Sequence, residues 1–173
     1  MKRPILILLI ICIAAIGAWL WHLKTKSLPP KESYFIQNFH DHRAAFERLR
    51  EMLEADKQLV KLGGWGVSTE SSLVPLIPPK GDFPETRYRE YLALLKEAGG
   101  RVVYRGRGEQ ANPGIGLWAW GFAGNTRHVG ISWLDREPVG QLVATIDGPR
   151  APSSQGKTVF RKVEGNWYLW TDI

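Results

Sequence analysis

TVFRKVEGNWYLWT, residues 158–171, is the stretch on which the fold turns. Its two ends are rich in β-branched and aromatic residues, which suit a pleated, half-buried surface. Between them, Glu164-Gly165-Asn166 carries turn chemistry: Gly reaches positive φ at no steric cost, and Asn tolerates it. The reading is an antiparallel hairpin, Thr158–Val163 with Trp167–Thr171. Side chains alternate across a strand, so Trp167 and Trp170 fall on opposite faces and at least one is expected outside the main core.

The same pattern recurs upstream. Ile115–Phe122 and Arg127–Leu134 flank Ala123-Gly124-Asn125, a second hairpin turn. Trp118 and Trp120 share one face of the first strand by period two. In its partner, Val129, Ile131 and Trp133 share a face, while His128 and Ser132 point the other way. Arg101–Arg105 is a short β-branched strand, and Val139–Ile146 alternates weakly. Residues 147–156, rich in Gly, Pro and Ser, read as loop.

Two helices precede these strands. Over Asn38–Leu62, Phe39, Phe46, Leu49, Leu53 and Val60 form an apolar stripe near a 3.5-residue spacing, with Met52 and Leu59 beside it. Asn38 and Asp41 suggest a capping box, and Gly63-Gly64 a terminus. Asp56 borders the stripe, either as a solvated residue or as a carboxylate turned inward to hold a backbone or Arg partner. Residues 63–83 read as loop. A second helix fits Pro84–Ala98, with Asp82 as its cap, Tyr88, Tyr91, Leu92 and Leu95 on its inner face, and Gly99-Gly100 after it. The fold class is therefore α+β, with two helices packed on an antiparallel β-sheet meander over residues 38–173.

The N-terminus carries a different signal. Pro4–Leu23 passes twenty residues without a formal charge. At 1.5 Å per residue, that spans the roughly 30 Å hydrocarbon core of a bilayer. Trp19 and Trp21 stand where an interfacial aromatic belt belongs. We read residues 1–3 as a cytosolic tail, 4–23 as a transmembrane anchor and 24–37, with Pro29-Pro30, as a stiff linker. A cleavable signal peptide is the alternative, since Ala15-Ile16-Gly17 resembles a small-x-small site. A lipoprotein is disfavoured because Ile11 precedes Cys12 where a small residue is required. The short basic tail places the domain outside the inner membrane, in the periplasm.

Composition narrows the function classes. The net charge is +6, from 23 Lys and Arg against 17 acids, without a basic run of the kind that tracks nucleic acid. Cys12 is the single cysteine, so the domain makes no disulfide of its own. His40-Asp41-His42 is not a metal site, because helical positions two apart cannot share an ion. Gly63-Gly64-Trp65-Gly66 and Gly114-Ile115-Gly116 lack phosphate-loop spacing. Ser68, Ser71 and Ser72 lack any nucleophile frame. Glu70, Glu85 and Glu109 are too far apart in sequence to be read as a pair, and nothing in the sequence brings them together or keeps them apart in space. No catalytic, cofactor or metal residue is assigned, and no cofactor is expected.

Phe160–Trp170 resembles the closing hairpin of small, uncharacterised bacterial envelope proteins that begin with a membrane or lipid anchor. The helix Phe46-x-x-Leu49-x-x-Met52-Leu53-x-x-Asp56, with Arg87-Tyr88-x-x-Tyr91 and Val129-Gly130-Ile131-x-Trp133, fits the same pattern. The resemblance covers most of residues 35–171. It implies a shared fold and an envelope location, and it carries no functional residue.

These readings converge on a non-enzymatic, membrane-tethered interaction module. Its expected partners are the membrane, through the N-terminal helix, and a protein, including a toxin that it neutralises. A peptidoglycan or glycan binder using exposed tryptophans is the second reading. A hydrolase whose residues meet only in space is the third. The candidate binding surface is Trp118, Trp120, His128 and Trp170.

Overall fold

The computed structural model describes residues 11–19, 30–72, 74–78, 80–106, 112–120, 127–138, 141–147 and 158–172. The chain divides into two compact units, Met1–Pro30 and Lys31–Ile173. In the first unit, residues 11–19 are helical (α1). Among the described residues, no helix is long and apolar enough to cross a membrane. Most of the expected span 4–23 lies outside them.

The second unit is a mixed α+β fold, as its patterning predicts. The long helix expected over Asn38–Leu62 is instead two helices and a strand: α2 (Glu32–Asp41), α3 (Arg43–Ala55) and β1 (Leu59–Gly63). The break falls at His42, whose backbone (φ −118°, ψ 26°) is not helical. Asn38 is no cap. It sits inside α2, and its Nδ2 donates to the Ala98 carbonyl at 2.8 Å. Asp41 accepts from Gln37 Nε2 within the same helix.

α2 begins inside the stretch read as a spacer, and long-range contacts explain why. Glu32 is buried, pairs with Arg161 and accepts from the Ile146 N–H at 2.7 Å. Its own N–H donates to Asp147 Oδ1 at 2.8 Å. A carboxylate near a helix N-terminus also opposes the positive end of the helix dipole.

Asp56 follows the inward reading. Its Oδ2 accepts from Arg87 Nε at 2.8 Å and from the Tyr91 hydroxyl at 2.9 Å. Burial, then the bond and charge of Asp56, push the Tyr91 phenol far above its usual range.

Leu59 and Leu62 suit a helical stripe by spacing, yet β1 pairs with β2 (Gly66–Thr69) and with β3 (Val102–Arg105). The expected loop over 63–83 thus contains a strand, tied to the chain beyond it by an antiparallel Val67–Leu76 bridge. Gly66 needs its φ of +129°, and a Cβ there would lie 2.9 Å from the Leu76 carbonyl oxygen. α4 spans Glu85–Glu97 with Tyr88, Tyr91 and Leu95 buried. Pro84, not Asp82, precedes it, and no side chain caps it. Asp82 instead accepts from Ser71.

The remaining strands are β3 (Val102–Arg105), β4 (Pro113–Trp120), β5 (Arg127–Trp133), β6 (Gln141–Leu142), β7 (Thr158–Glu164) and β8 (Trp167–Asp172). The sheet order is β2-β1-β3-β4-β5-β8-β7-β6. This corrects the simple meander. After β5 the chain travels to the far edge, forms β6 parallel to β7, and returns through the β7–β8 hairpin to pair β8 with β5. Of the strand expected over Val139–Ile146, the described residues hold Gln141–Leu142 as β6, and 139–140 lie outside them. The Gly165-Asn166 turn forms as read, with Gly165 at φ +52°. Residues 121–126, the other expected turn, and 148–157 lie outside the described residues.

The helices pack on one face of this sheet. Phe39, Phe46, Leu49, Met52 and Leu53 meet Leu62, Val103, Ile115, Ile131 and Leu169, all nearly inaccessible to solvent. Burying each such side chain contributes about 1.5–3 kcal/mol. Trp167 joins this core, with its ring centroid 5.3 Å from Phe39 and 5.6 Å from Trp133.

Candidate functional site

Strand alternation that turns Val103, Ile115, Val129 and Leu169 into the core turns their neighbours the other way. Val102 and Tyr104 on β3, Gly116 on β4, His128 on β5 and Trp170 on β8 thus share the sheet face away from the helices. Three glycines shape this face. A Cβ on Gly114 would lie 2.3 Å from Tyr104 Cζ, on Gly130 2.4 Å from Trp170 Cζ2, and on Gly116 2.6 Å from Val102 Cγ1. Glycine in a strand interior marks such close approaches. Its absence of side chain lets Tyr104 and Trp170 lie across the backbone. The two rings meet edge to face, with centroids 6.0 Å apart and planes at 83°.

The result is a cavity of about 460 Å³. Its apolar lining comes from Val60, Val102, Tyr104, Trp118, Ala119 and Trp170, and its charged lining from Lys61, Arg101, Arg105 and His128. The Tyr104 hydroxyl lies 3.2 Å from Ser132 Oγ. Burial holds this phenol well above its usual range, while Ser132 and the nearby Trp170 N–H pull the other way. The Trp170 Nε1 is buried and, among the described residues, makes no bond of hydrogen-bonding geometry.

Asp172 holds His128 from two sides. Oδ1 accepts from the His128 backbone N–H, and Oδ2 lies 2.5 Å from Nδ1. An ionised carboxylate only accepts, so Nδ1 carries the proton and Nε2 is the ring nitrogen left for a ligand. Asp172 is the one side chain among the described residues that bonds the imidazole, so no hydroxyl nucleophile stands against it. Among the described residues, no group of three His, Cys, Asp or Glu could hold a metal.

Of the four residues selected from sequence, Trp118, His128 and Trp170 line this one cavity. They reach it differently. The β4 strand is irregular between Gly116 and Trp118, where Trp118 comes into register with Val129. Its ring packs against the core while the residue borders the cavity. Trp170 lies on the face opposite Trp167, as period two requires. Trp120 ends β4, and its side chain lies outside the described residues.

Sequence reasoning missed Lys61, Arg101 and Tyr104. Lys61 lay hidden in a presumed helix. Gly114-x-Gly116 was the available signal, because alternate glycines clear one face for a neighbouring ring.

No protein-family model, curated protein or solved structure matches the chain. The site therefore has to be read from its own chemistry.

Proposed function

We propose that this protein is a membrane-tethered, non-enzymatic binding module of the bacterial envelope, with its ligand received in the cavity beside Tyr104 and Trp170. One observation carries the reading: the sheet face away from the helices is not a polar surface but an apolar hollow, cleared by glycines and furnished with a few polar groups. Small-molecule sites have this character and run to roughly 300–1,000 Å³. The tether rests on the uncharged stretch 4–23 and its flanking tryptophans.

Two experiments test it on the full chain in cells. A photoreactive residue in place of the exposed, cavity-lining Ala119 is expected to capture a ligand that the same probe at Arg89, on the outer surface of α4, does not. A protein adduct at position 119 would identify the expected protein partner, and a glycan adduct the second reading. Equal capture at both positions, or none at either, refutes the cavity as the site. A compartment reporter fused after Ile173 is expected to be active outside the cytosol, and activity only within it overturns the envelope placement.

A further inference from the structure

We infer that the cavity takes an amphiphilic organic anion, an apolar body carrying one carboxylate or phosphate. This rests on the cavity being the binding site. Among the described residues its charged lining is cationic, since Lys61, Arg101 and Arg105 border it and no carboxylate does. Elsewhere six arginines are neutralised, although no lysine among the described residues has a carboxylate partner. Arg43, Arg48, Arg50, Arg87, Arg89 and Arg161 each pair with a carboxylate. Among the described residues, Lys61 and Arg101 have no such partner. The Lys61 ammonium instead stands 5.5 Å from the centre of the Trp65 ring, a contact that holds the charge without cancelling it.

Arg105 borders the cavity from the core side: period two turns it inward, and its charge is felt at Tyr91. An acceptor oxygen on a ligand head group answers the positive field, while the tail occupies the apolar space between Val102 and Trp118. A neutral sugar would leave the charges unanswered, and a cationic amphiphile would be repelled.

The test uses the full chain in a nonionic detergent and calorimetric titration with decanoate, decyl phosphate and decanol. The anions are expected to bind saturably and at least tenfold more tightly than decanol, and their ratio shows which head group is preferred. Ala119→Phe, at an exposed position, is expected to fill the cavity and abolish this binding. It also subtracts uptake by the micelle and by the N-terminal segment. The Lys61→Gln/Arg101→Gln pair is expected to weaken the anions at least tenfold and leave decanol unchanged. Circular dichroism matching the parent shows that each variant folds. Decanol binding as tightly as decanoate, with both lost in Ala119→Phe, keeps the site and overturns the anion. Saturable binding that survives Ala119→Phe overturns both. No saturable binding of any probe overturns the anion, and the cavity then stands or falls on capture at position 119.

Discussion

Trp167→Ala is expected to lower the stability of the folded unit by about 3–5 kcal/mol, the range for truncating a buried aromatic side chain. Trp167 is only 1% exposed. Its ring is wedged among Phe39, Phe46 and Trp133, at centroid distances of 5.3, 6.3 and 5.6 Å. It therefore joins α2 and α3 to the sheet at one point. The indole N–H also donates to Glu47 Oε1 at 3.0 Å. Burial raises the Glu47 carboxyl, but hydrogen bonds from Trp167, Arg50 and Arg43 outweigh it and hold the group below its ordinary value. A depressed carboxyl contributes stability in full above its unfolded value near 4.5, and that contribution is lost as pH falls through the lower folded value. Removing one of the three donors shrinks this contribution, so the gap between parent and variant is expected to narrow below about pH 4.5. Urea denaturation followed by far-ultraviolet circular dichroism at pH 7 and pH 4 measures both effects. A loss under 1 kcal/mol at pH 7 would mean that Trp167 does not join the layers.

Gly130→Ala is expected to cost about 1–3 kcal/mol, the usual price of overpacking, and to weaken ligand binding at least tenfold. Gly130 lies in β5, between Gly116 of β4 and Trp170 of β8. A methyl there would meet Trp170 Cζ2 at 2.4 Å and the Ile115 carbonyl oxygen at 2.8 Å. The oxygen is backbone within a paired strand and cannot step aside without opening the β4–β5 ladder. Trp170 must therefore move, and the cavity loses the indole that lines it. Comparison with Ala119→Phe separates the two consequences. Both variants are expected to lose decanoate binding, and only Gly130→Ala to lose stability. Parent-like stability and binding in Gly130→Ala would show that the indole is not held across this glycine.

The legible parts of the structure were those encoded within a few residues. The β7–β8 hairpin could be read because the turn Gly165-Asn166 sits between two β-rich runs, and period two then placed Trp167 and Trp170 on opposite faces. α4 could be read because Tyr88, Tyr91 and Leu95 recur at helical spacing. The ambiguity lay where two periods agree with the same residues. Leu59 and Leu62 fit a helical stripe, and pairing with β2 and β3 decided for a strand. Of the candidate site, the aromatic and imidazole residues on β4, β5 and β8 were visible in the strand pattern. Lys61 and Arg101 were not, because their place at the same cavity follows from sheet order.

The sequence by itself determined an α+β composition, the hairpins, the helical stripe on α3, the uncharged stretch at 4–23 and the excess of positive charge. Each is a property of neighbouring residues, set by side-chain period, turn chemistry or simple count. Only the tertiary structure decided where α2 begins, since Glu32 is held by Arg161 and by the Ile146 N–H, 114 residues away. It alone sent β6 to the far edge of the sheet and laid Tyr104 and Trp170 across glycines of adjacent strands. The cavity and its basic lining belong to that second class. Register between strands is fixed by hydrogen bonds and packing among distant segments, and no local pattern specifies which strands become neighbours.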